Sequence, residues 1–253
     1  MTAPEGTEPP ILEARGLCKN FGGVRALHNV DFSIRRGEIL GLIGPNGSGK
    51  TTLVNCMSGE LPPTSGDVAF NGRVVTGAPA HRMARSGMAR TFQRFRLFGS
   101  ISVRENMWLA RQWKGVGLGG LFRPVDRATR ERADQLIEMV KLTHLCNANA
   151  STLSGGQRRL LEFGMALMSK PSLVVLDEAT SGVHLTVISA LEGYIRELNR
   201  DEAVSFLLIE HNVDFIMRMC GRIVVLHHGE ELAVGTPDDV RANREVVDAY
   251  FGA

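Results

Sequence analysis

The feature that most constrains this sequence is the segment GPNGSGKT, which spans Gly44 to Thr51. An apolar run, EILGLIG, comes directly before it, and TTLVNCMSG, which has helical spacing, follows it. A glycine-rich loop between a strand and a helix turns backbone N–H groups inward around phosphate oxygens, at the positive end of the helix dipole. The segment therefore predicts a phosphate-binding loop inside an α/β fold.

Every residue of this loop is a candidate nucleotide contact. Lys50 is one of only five lysines, and it would reach the β- and γ-phosphates, whereas Thr51 would bind Mg²⁺. The alternative, a glycine-rich turn with an incidental lysine, is disfavoured because the flanking strand and helix both fit. The predicted nucleotide-binding residues of this segment are Gly44, Pro45, Asn46, Gly47, Ser48, Gly49, Lys50, Thr51 and Thr52.

Strand-like runs alternate with helical patterns along much of the chain. EILGLIG, SLVVLDE and VSFLLIEH are apolar strands, and DVAFNGRVV indicates a hairpin around an Asn-Gly turn. HHGE, within RIVVLHHGEELAV, could suggest a metal site, but a hairpin turn is favoured. This alternation predicts a mostly parallel sheet covered by helices on both faces. Residues 95–169 show helical patterns and no convincing strand, so we expect a helical subdomain inserted into an α/β core formed by residues 11–94 and 170–253, after a flexible tail at residues 1–10.

Composition excludes several classes of protein. The formal net charge is +2, so no nucleic-acid partner is expected. The four cysteines are scattered without a CxxC pair, which argues against a disulfide framework or a zinc site and indicates a reducing compartment. No apolar run approaches the ~18 residues of a membrane span, and the N-terminus lacks the blocks of a signal peptide. We expect a cytosolic protein.

Two of the apolar strands end in polar, ionisable residues. Asp177 and Glu178 end SLVVLDE, and His211 ends VSFLLIEH. Ligands of parallel α/β sheets bind beyond the carboxyl ends of the strands, so these side chains should meet the phosphate loop. Asp177 can hold the Mg²⁺ hydration shell, Glu178 can orient or deprotonate water, and His211 can contact the γ-phosphate. The plainer alternatives are a solvated strand end and a structural histidine.

A second anion site is predicted in LSGGQRRLLEF. Ser154 and Gln157 fit a capping box at the start of a helix. Gly155 and Gly156 would weaken an ordinary first turn, but they suit a ligand that approaches the backbone closely. Because the phosphate loop already serves one nucleotide, this site would serve the nucleotide of a second copy or a close relative of the chain.

The order GPNGSGKT, Gln93, LSGGQ, LVVLDE and His211 resembles the ATP-hydrolysing subunit of ATP-binding cassette transporters, over nearly the whole chain. KNFGGVRAL, HRMARSGMARTFQRFRLF and GTPDDVRANREVVDAYFG are most similar to ATPase subunits of bacterial branched-chain amino acid importers and of the related urea and amide importers. The resemblance implies a P-loop NTPase core with an added antiparallel β subdomain and a helical subdomain, ATP and Mg²⁺ as cofactors, and ATP hydrolysis.

The resemblance also implies roles for matching residues. Phe21 stands where an aromatic ring stacks on adenine, although core packing is an alternative for it. Gln93 would couple Mg²⁺ and the attacking water to the transporter contact. Ser154, Gly155, Gly156 and Gln157 would close over the γ-phosphate of the opposing subunit. The implied catalytic set is Glu178, His211, Gln93 and Lys50, and the implied metal set is Thr51, Gln93 and Asp177, the last through water.

Implied partners follow from the same resemblance. Two identical or related ATPase subunits would sandwich two ATP molecules head to tail, and their closing and opening would drive two membrane-spanning permease subunits. A solute-binding protein would complete the system, with the ATPase held at the cytoplasmic face of the inner membrane through the permeases. FQRFRLFGSISVREN is either the permease-docking surface or an ordinary subdomain junction.

Other functions stay open at this point. An exporter or lipid-transport ATPase would share all this chemistry, and a soluble cassette ATPase or a P-loop kinase is a further alternative. The sequence also departs from the family pattern after Glu178, with Ala179, His184 and Leu185 where proline, aspartate or asparagine, and proline are usual. His184 is either a tolerated substitution or a cause of weak self-association and pH-sensitive activity.

Overall fold

The computed structural model describes residues 9–91, 97–111 and 125–251. The strands in this part of the chain are β1 (Leu12–Phe21), β2 (Val24–Ile34), β3 (Ile39–Ile43), β4 (Ser65–Phe70), β5 (Arg73–Val74), β6 (Met88–Arg90), β7 (Leu173–Asp177), β8 (Ser205–Ile209), β9 (Arg222–His227) and β10 (Glu230–Gly235). The helices are α1 (Lys50–Met57), α2 (Ala80–Arg85), α3 (Val103–Leu109), α4 (Arg127–Met139), α5 (Gly155–Leu167), α6 (Leu185–Glu202), α7 (Val213–Met219), α8 (Pro237–Ala242) and α9 (Arg244–Phe251).

The strands form two sheets. The larger has six strands in the order β10-β9-β3-β8-β7-β6, in which only β10 runs antiparallel to its neighbour. The smaller has four antiparallel strands in the order β2-β1-β4-β5. The His28 N–H donates to the Gly229 carbonyl at 2.8 Å and ties the sheets together. The predicted fold class, a mostly parallel core with an antiparallel β subdomain and a helical subdomain, is confirmed.

The central strands are continuous apolar runs because both of their faces are covered. All five residues of β7 and of β8 are buried. Alternation along β7 sends Val174 and Leu176 into a core shared with α3 to α7, and Leu173 and Val175 into a core shared with α1 and the antiparallel sheet. β7 thereby contributes side chains to both cores. Its carboxyl end is held in place at one edge of the sheet.

Turn chemistry sets the two predicted hairpins. Asn71 and Gly72 link β4 to β5 with φ of 51° and 72°, the left-handed pair that a two-residue hairpin needs. His228 and Gly229 link β9 to β10 in the same way, with φ of 50° and 82°. HHGE therefore forms the favoured hairpin turn, with Glu230 paired to His227 across it.

Several elements differ from the expectation. The pattern did not single out β1, whose pairing with both neighbours is interrupted by register shifts, nor the three-residue β6. Helices α2, α8 and α9 were likewise not predicted. In residues 97–111 and 125–169 the structure has helices and an isolated bridge between Ser102 and Asn149, but no strand. Most of the predicted N-terminal tail, residues 1–8, lies outside the described residues. No described helix combines the length and apolar character needed to cross a bilayer.

Candidate nucleotide-binding and hydrolysis site

The glycine-rich loop leaves the end of β3 and enters α1. Gly44 has a φ of 151°, and a Cβ there would lie 2.2 Å from the Leu226 carbonyl oxygen, so only glycine fits. Gly49 is the N-cap of α1 in a left-handed conformation, and no acidic side chain lies in the first turn. The first-turn N–H groups have no partner inside the helix, and their positive potential faces the loop. The loop is therefore built to receive an anion.

Lys50 folds back over this loop. Its Nζ donates to the carbonyl oxygens of Gly44 at 2.7 Å and Pro45 at 2.9 Å, and the residue is only 7% exposed. Burial lowers the pKa of Lys50, and the nearby carboxylates of Glu178 and Asp177 oppose that shift. A phosphate group would supply the anionic partner that neutral carbonyls replace only in part.

Two hydroxyl groups bear on whether the site suits a nucleotide with a bound metal ion. Ser48 Oγ is buried and has no hydrogen-bond partner in the part of the chain that the structure describes. Thr51 is exposed in the first turn of α1, beside Lys50. The hydroxyl groups and the Asp177 carboxylate offer oxygen atoms only, the kind of donor that Mg²⁺ and its phosphate partners prefer. The residues present therefore fit Mg²⁺ and a polyphosphate.

Glu178 and His211 lie together at the adjoining strand ends. Glu178 Oε1 is 3.1 Å from His211 Nε2, and their side chains are 17% and 54% exposed. Glu178 follows β7 with a φ of 52°, and its N–H donates to the Ile209 carbonyl at 2.8 Å. This left-handed residue turns its side chain away from the line of the buried strand. A carboxylate and an imidazole in this arrangement are chemically able to hold a water molecule and accept a proton from it.

Asp177 is held by a residue that the sequence did not suggest. Arg90, at the end of β6, donates from Nη2 to Asp177 Oδ2 at 2.9 Å. Asp177 lies near enough to Lys50 to affect its pKa, so the carboxylate adjoins the phosphate loop. The available signal was an arginine embedded in the apolar segment GMARTF, where a charge needs a partner.

A second overlooked pair braces the loop after Glu178. Glu210 Oε1 accepts from the Thr180 N–H at 2.8 Å, and Oε2 accepts from the Thr180 hydroxyl at 2.7 Å. Burial raises the pKa of Glu210, and the two Thr180 hydrogen bonds oppose that effect. Thr180 lies two residues after Glu178, and Glu210 directly precedes His211. This pair therefore ties together the two segments that carry the candidate catalytic residues.

The LSGGQ segment forms the predicted capping box. The Ser154 N–H donates to Gln157 Oε1 at 2.8 Å, and the Gln157 N–H donates to Ser154 Oγ at 3.3 Å. A Cβ on Gly155 would meet nothing within 4 Å, so its backbone is open to a ligand. A Cβ on Gly156 would lie 2.7 Å from Val187 Cγ2 in α6. The lack of a side chain at Gly156 therefore also allows α5 to pack closely against α6, which the sequence analysis did not predict.

The remaining predicted residues stand apart from this cluster. Phe21 ends β1 and is 47% exposed, with Lys19 Nζ 5.2 Å from its ring centroid, so core packing does not account for it. Gln93 lies outside the described residues, as does part of FQRFRLFGSISVREN.

The geometry agrees with comparisons to known proteins. Residues 27–181 match the ABC transporter family, and residues 230–253 match a family described as branched-chain amino acid ATP-binding cassette transporter. The chain belongs to the ATP-binding cassette transporter family.

Individual relatives are similar along almost their whole length. The chain is 38% identical to the high-affinity branched-chain amino acid transport ATP-binding protein BraF of Pseudomonas aeruginosa, and 37% identical to LivG of Escherichia coli K12. Both alignments cover 96% of this chain and 98% of the relative. A nucleotide-free crystal structure of an ATP-binding cassette from an ABC transporter superposes with a TM-score of 0.87 at 31% identity, covering 97% of this chain and 100% of that one. The predicted family and fold class are confirmed, and the chain is an ATP-binding and ATP-hydrolysing subunit of this family.

Proposed function

We propose that this chain powers a branched-chain amino acid importer by binding and hydrolysing ATP. The supporting observation is its similarity to BraF and LivG over 96% of its length, since both are described as high-affinity branched-chain amino acid transport ATP-binding proteins. The C-terminal match at residues 230–253 supports the same solute class independently of the ATPase motifs. An exporter, a lipid-transport ATPase and a soluble cassette ATPase lack this support.

ATP binding begins at the phosphate loop. Loop N–H groups and the Lys50 ammonium hold the β- and γ-phosphates, and Lys50 exchanges the Gly44 and Pro45 carbonyls for phosphate oxygens. The half-exposed ring of Phe21 stacks on the adenine base. The other contacts of this loop are Asn46, Gly47, Ser48, Gly49, Thr51 and Thr52.

Hydrolysis uses the strand ends. Glu178 accepts a proton from the attacking water, and His211 holds Glu178 and contacts the γ-phosphate. When bound, Mg²⁺ neutralises charge that develops on the transferred phosphate. Thr51 and Gln93 would hold it directly, and Asp177 through water. Each of these side chains acts on an oxygen of ATP, its metal ion or water, so the chemistry is phosphoryl transfer to water.

A second subunit completes each site. Ser154 to Gln157 present an exposed, capped helix start in which Gly155 leaves its backbone open. An N–H cluster of this kind stabilises the γ-phosphate bound to an opposing copy or a related ATPase subunit. Two ATP molecules thereby lie between two subunits, in a homodimer or a heterodimer.

Permease subunits dock on a cleft lined in part by Arg90. A cavity of about 500 Å³ lies between the α/β core and the helices of the predicted subdomain, residues 95–169. A mostly apolar cleft of this size accepts one amphipathic helix of a partner. The complete system contains two permease subunits and a solute-binding protein. Docking on the permease subunits holds the chain at the cytoplasmic face of the inner membrane. Its apolar lining includes Ala80, Met83, Met88, Ala110, Met165 and Ala166.

The hydrolysis proposal is tested with Glu178→Gln. Removing the proton acceptor should lower turnover by at least about 100-fold while ATP binding persists. A stable dimer should then accumulate with ATP and Mg²⁺ on size-exclusion chromatography. Glu202→Gln, an exposed change at the end of α6, is the matched control and should behave as wild type. Near-normal turnover of Glu178→Gln would remove Glu178 from this role.

The solute is tested by reconstitution. The chain is co-purified with its permease subunits and assayed in vesicles for ATP-dependent uptake of labelled leucine, isoleucine, valine and urea. We expect uptake of the branched-chain amino acids and none with Glu178→Gln. Uptake of urea alone, or outward movement of solute, would contradict the proposed import function without affecting the ATPase assignment.

A further inference from the structure

One buried arginine joins three parts of the nucleotide site. The Arg90 side chain is 8% exposed and forms an ion pair with Asp177 at 2.9 Å. Its other terminal nitrogen, Nη1, donates to Asn55 Oδ1 at 2.7 Å and to Ser58 Oγ at 2.9 Å. Asn55 lies in α1 and Ser58 is its C-cap. The guanidinium therefore connects the end of β6, the end of β7 and the helix that begins at Lys50.

The geometry of the guanidinium makes this connection rigid. Its nitrogens lie in one plane, so fixing Nη1 on two oxygens of α1 also fixes the direction of Nη2 toward Asp177. A lysine has one charged nitrogen on a flexible stem and could not span the carboxylate and both α1 oxygens with the same angular control. The position therefore uses a property specific to arginine.

The contact divides the two oxygens of Asp177 between two tasks. Arg90 occupies Oδ2, whereas Oδ1 has no hydrogen-bond partner among the described residues. The Asp177 N–H donates to Thr91 Oγ1 at 3.3 Å, which holds the backbone beside β6 as well. With Oδ2 and the backbone both held, the lone pairs of the remaining oxygen keep a fixed orientation.

We propose that Arg90 is a positioning residue that aims the free oxygen of Asp177 at the Mg²⁺-bound water of the nucleotide complex. The inference rests on the proposed role of Asp177 in holding Mg²⁺ through water. Arg90 is not among the residues proposed to contact ATP or the metal ion, so it would act through Asp177. Its effect is on how strongly Mg²⁺ strengthens ATP binding, because a residue that orients a metal-site ligand changes metal affinity by about 10- to 100-fold when replaced.

The test compares Arg90→Lys with a matched arginine elsewhere. Arg222 also binds a carboxylate in the interior, Glu38, at 2.8 and 3.0 Å, and donates to the Ser33 carbonyl at 2.7 Å. Glu38 precedes β3, at the end opposite the phosphate loop. Arg222→Lys thus loses a similar set of contacts away from the nucleotide site. The melting temperature of each variant reports the structural part of each change.

The measurement is ATP affinity by calorimetry, first in EDTA and then along an Mg²⁺ titration, with no turnover required. For Arg90→Lys we expect ATP affinity in EDTA within about twofold of wild type, and a Mg²⁺ requirement raised at least about 10-fold. For Arg222→Lys we expect an unchanged Mg²⁺ requirement. Equal Mg²⁺ requirements in Arg90→Lys and wild type would overturn the proposal, as would an equal loss of ATP affinity with and without Mg²⁺.

A second variant keeps the test valid if Arg90→Lys does not fold. Asn55→Ala with Ser58→Ala removes the α1 contacts and leaves the ion pair. It should raise the Mg²⁺ requirement by a smaller factor, and an unchanged requirement would also contradict the proposal. Failure of the proposed function has a different signature, because wild-type protein would then bind ATP equally well with Mg²⁺ and with EDTA.

Discussion

Glu178 adopts a backbone conformation that few residues other than glycine tolerate. A left-handed φ of 52° costs about 1–3 kcal/mol for such a residue, so the surroundings must hold it. Its N–H is bonded to Ile209, and Thr180, two residues on, is bonded twice to the buried Glu210. These contacts are what place the Glu178 carboxylate against His211. At the residue scale, the candidate catalytic geometry depends on neighbours that touch no substrate.

Lys50→Ala should reduce ATP affinity by about 10- to 100-fold, because a charged hydrogen bond to phosphate contributes about 1.5–3 kcal/mol. Folding should survive, since burial already lowers the Lys50 pKa and the ammonium bonds only loop carbonyls. Calorimetric titration with ATP measures the change. Lys170→Ala, at an exposed lysine before β7, is the control. Equal ATP affinity in Lys50→Ala and wild type would contradict the phosphate-loop assignment.

The residues of the site differ in how far their roles could be predicted from the sequence. The phosphate loop is a local pattern of eight consecutive residues, so its glycines and Lys50 could be recognised without any tertiary information. Arg90 and Asp177 are 87 positions apart, and Thr180 and Glu210 are 30 apart. Such pairs form only because parallel strands bring their ends together. Physical reasoning on one sequence predicted that edge of the sheet, but not which polar residues would pair along it.

Elements followed the same division. The apolar runs of β3, β7 and β8 could be predicted as strands because they are buried on both faces and read as continuous apolar segments. By contrast, β1 alternates irregularly because register shifts interrupt its pairing with β2 and β4. With three residues, β6 is too short to carry a period. These two elements owe their conformation to their neighbours in the sheets.

The C-terminal helix α9 connects to the phosphate loop. Burial raises the pKa of Tyr250, and the backbone N–H of Gly44 opposes that shift, which places the Tyr250 phenol beside the loop. Val246, in the same helix, is 6% exposed and belongs to the core on the helical side of the sheet. Gly44 therefore has Tyr250 of α9 beside its N–H, and its carbonyl accepts a hydrogen bond from Lys50.

Tyr250→Phe should weaken ATP binding by about 2- to 10-fold, the range expected from one lost hydrogen bond of about 0.5–1.5 kcal/mol. The Gly44 amide should also exchange faster with deuterium. Tyr194→Phe is a close control, because Tyr194 is the other tyrosine of the chain and its hydroxyl is buried without a partner among the described residues. Calorimetry and amide exchange are the measurements. Identical exchange at Gly44 in both variants would contradict a role for Tyr250 at the loop.

At the scale of the whole molecule, one parallel sheet separates two cores and presents its carboxyl edge to the nucleotide. Arg90 lies at that edge and also lines the cleft proposed to receive the permease. The antiparallel sheet on the other face carries Phe21. The antiparallel subdomain followed from family resemblance. Its β1–β2 and β4–β5 pairs are local hairpins, but the pairing of β1 with β4 that joins them into one sheet connects strands distant in sequence, and local periodicity does not encode it.

His184 belongs to this scale because its segment would meet its counterpart in the proposed dimer. The structure gives it a local task, since it is the N-cap of α6. Its Nδ1 accepts from the Thr186 N–H at 3.4 Å and lies 3.2 Å from Thr186 Oγ1. Only a neutral ring can accept at Nδ1. Leu185 beside it is 73% exposed, which suits a surface that a second subunit covers.

Protonation should therefore weaken both the helix cap and the dimer. A cap contributes about 1 kcal/mol, and a charged imidazole adds like charge where two copies meet. A neutral ring forms the cap, whereas a protonated ring carries a hydrogen on Nδ1 and cannot accept from the Thr186 N–H. Asparagine caps helices well and does not titrate there. His184→Asn should thus keep its ATPase activity when wild-type activity falls, giving a mutant-to-wild-type ratio near one at pH 8 and about 3 or more at pH 6.

Using the ratio removes effects common to both proteins, because the rest of the nucleotide site is the same in each. The ATPase rate at saturating Mg-ATP is measured from pH 5.5 to 8.5, with the dimer fraction followed in parallel in the Glu178→Gln background. His144→Asn, at an exposed histidine in the turn Thr143–Leu145, controls for the loss of a histidine as such. Superimposable profiles for His184→Asn and wild type would show that the neutral and charged rings serve equally well, and His184 would then be a tolerated substitution. A ratio that rises at low pH together with the dimer fraction assigns the sensitivity to subunit association, whereas a rise without any change in dimer fraction assigns it to the cap of α6.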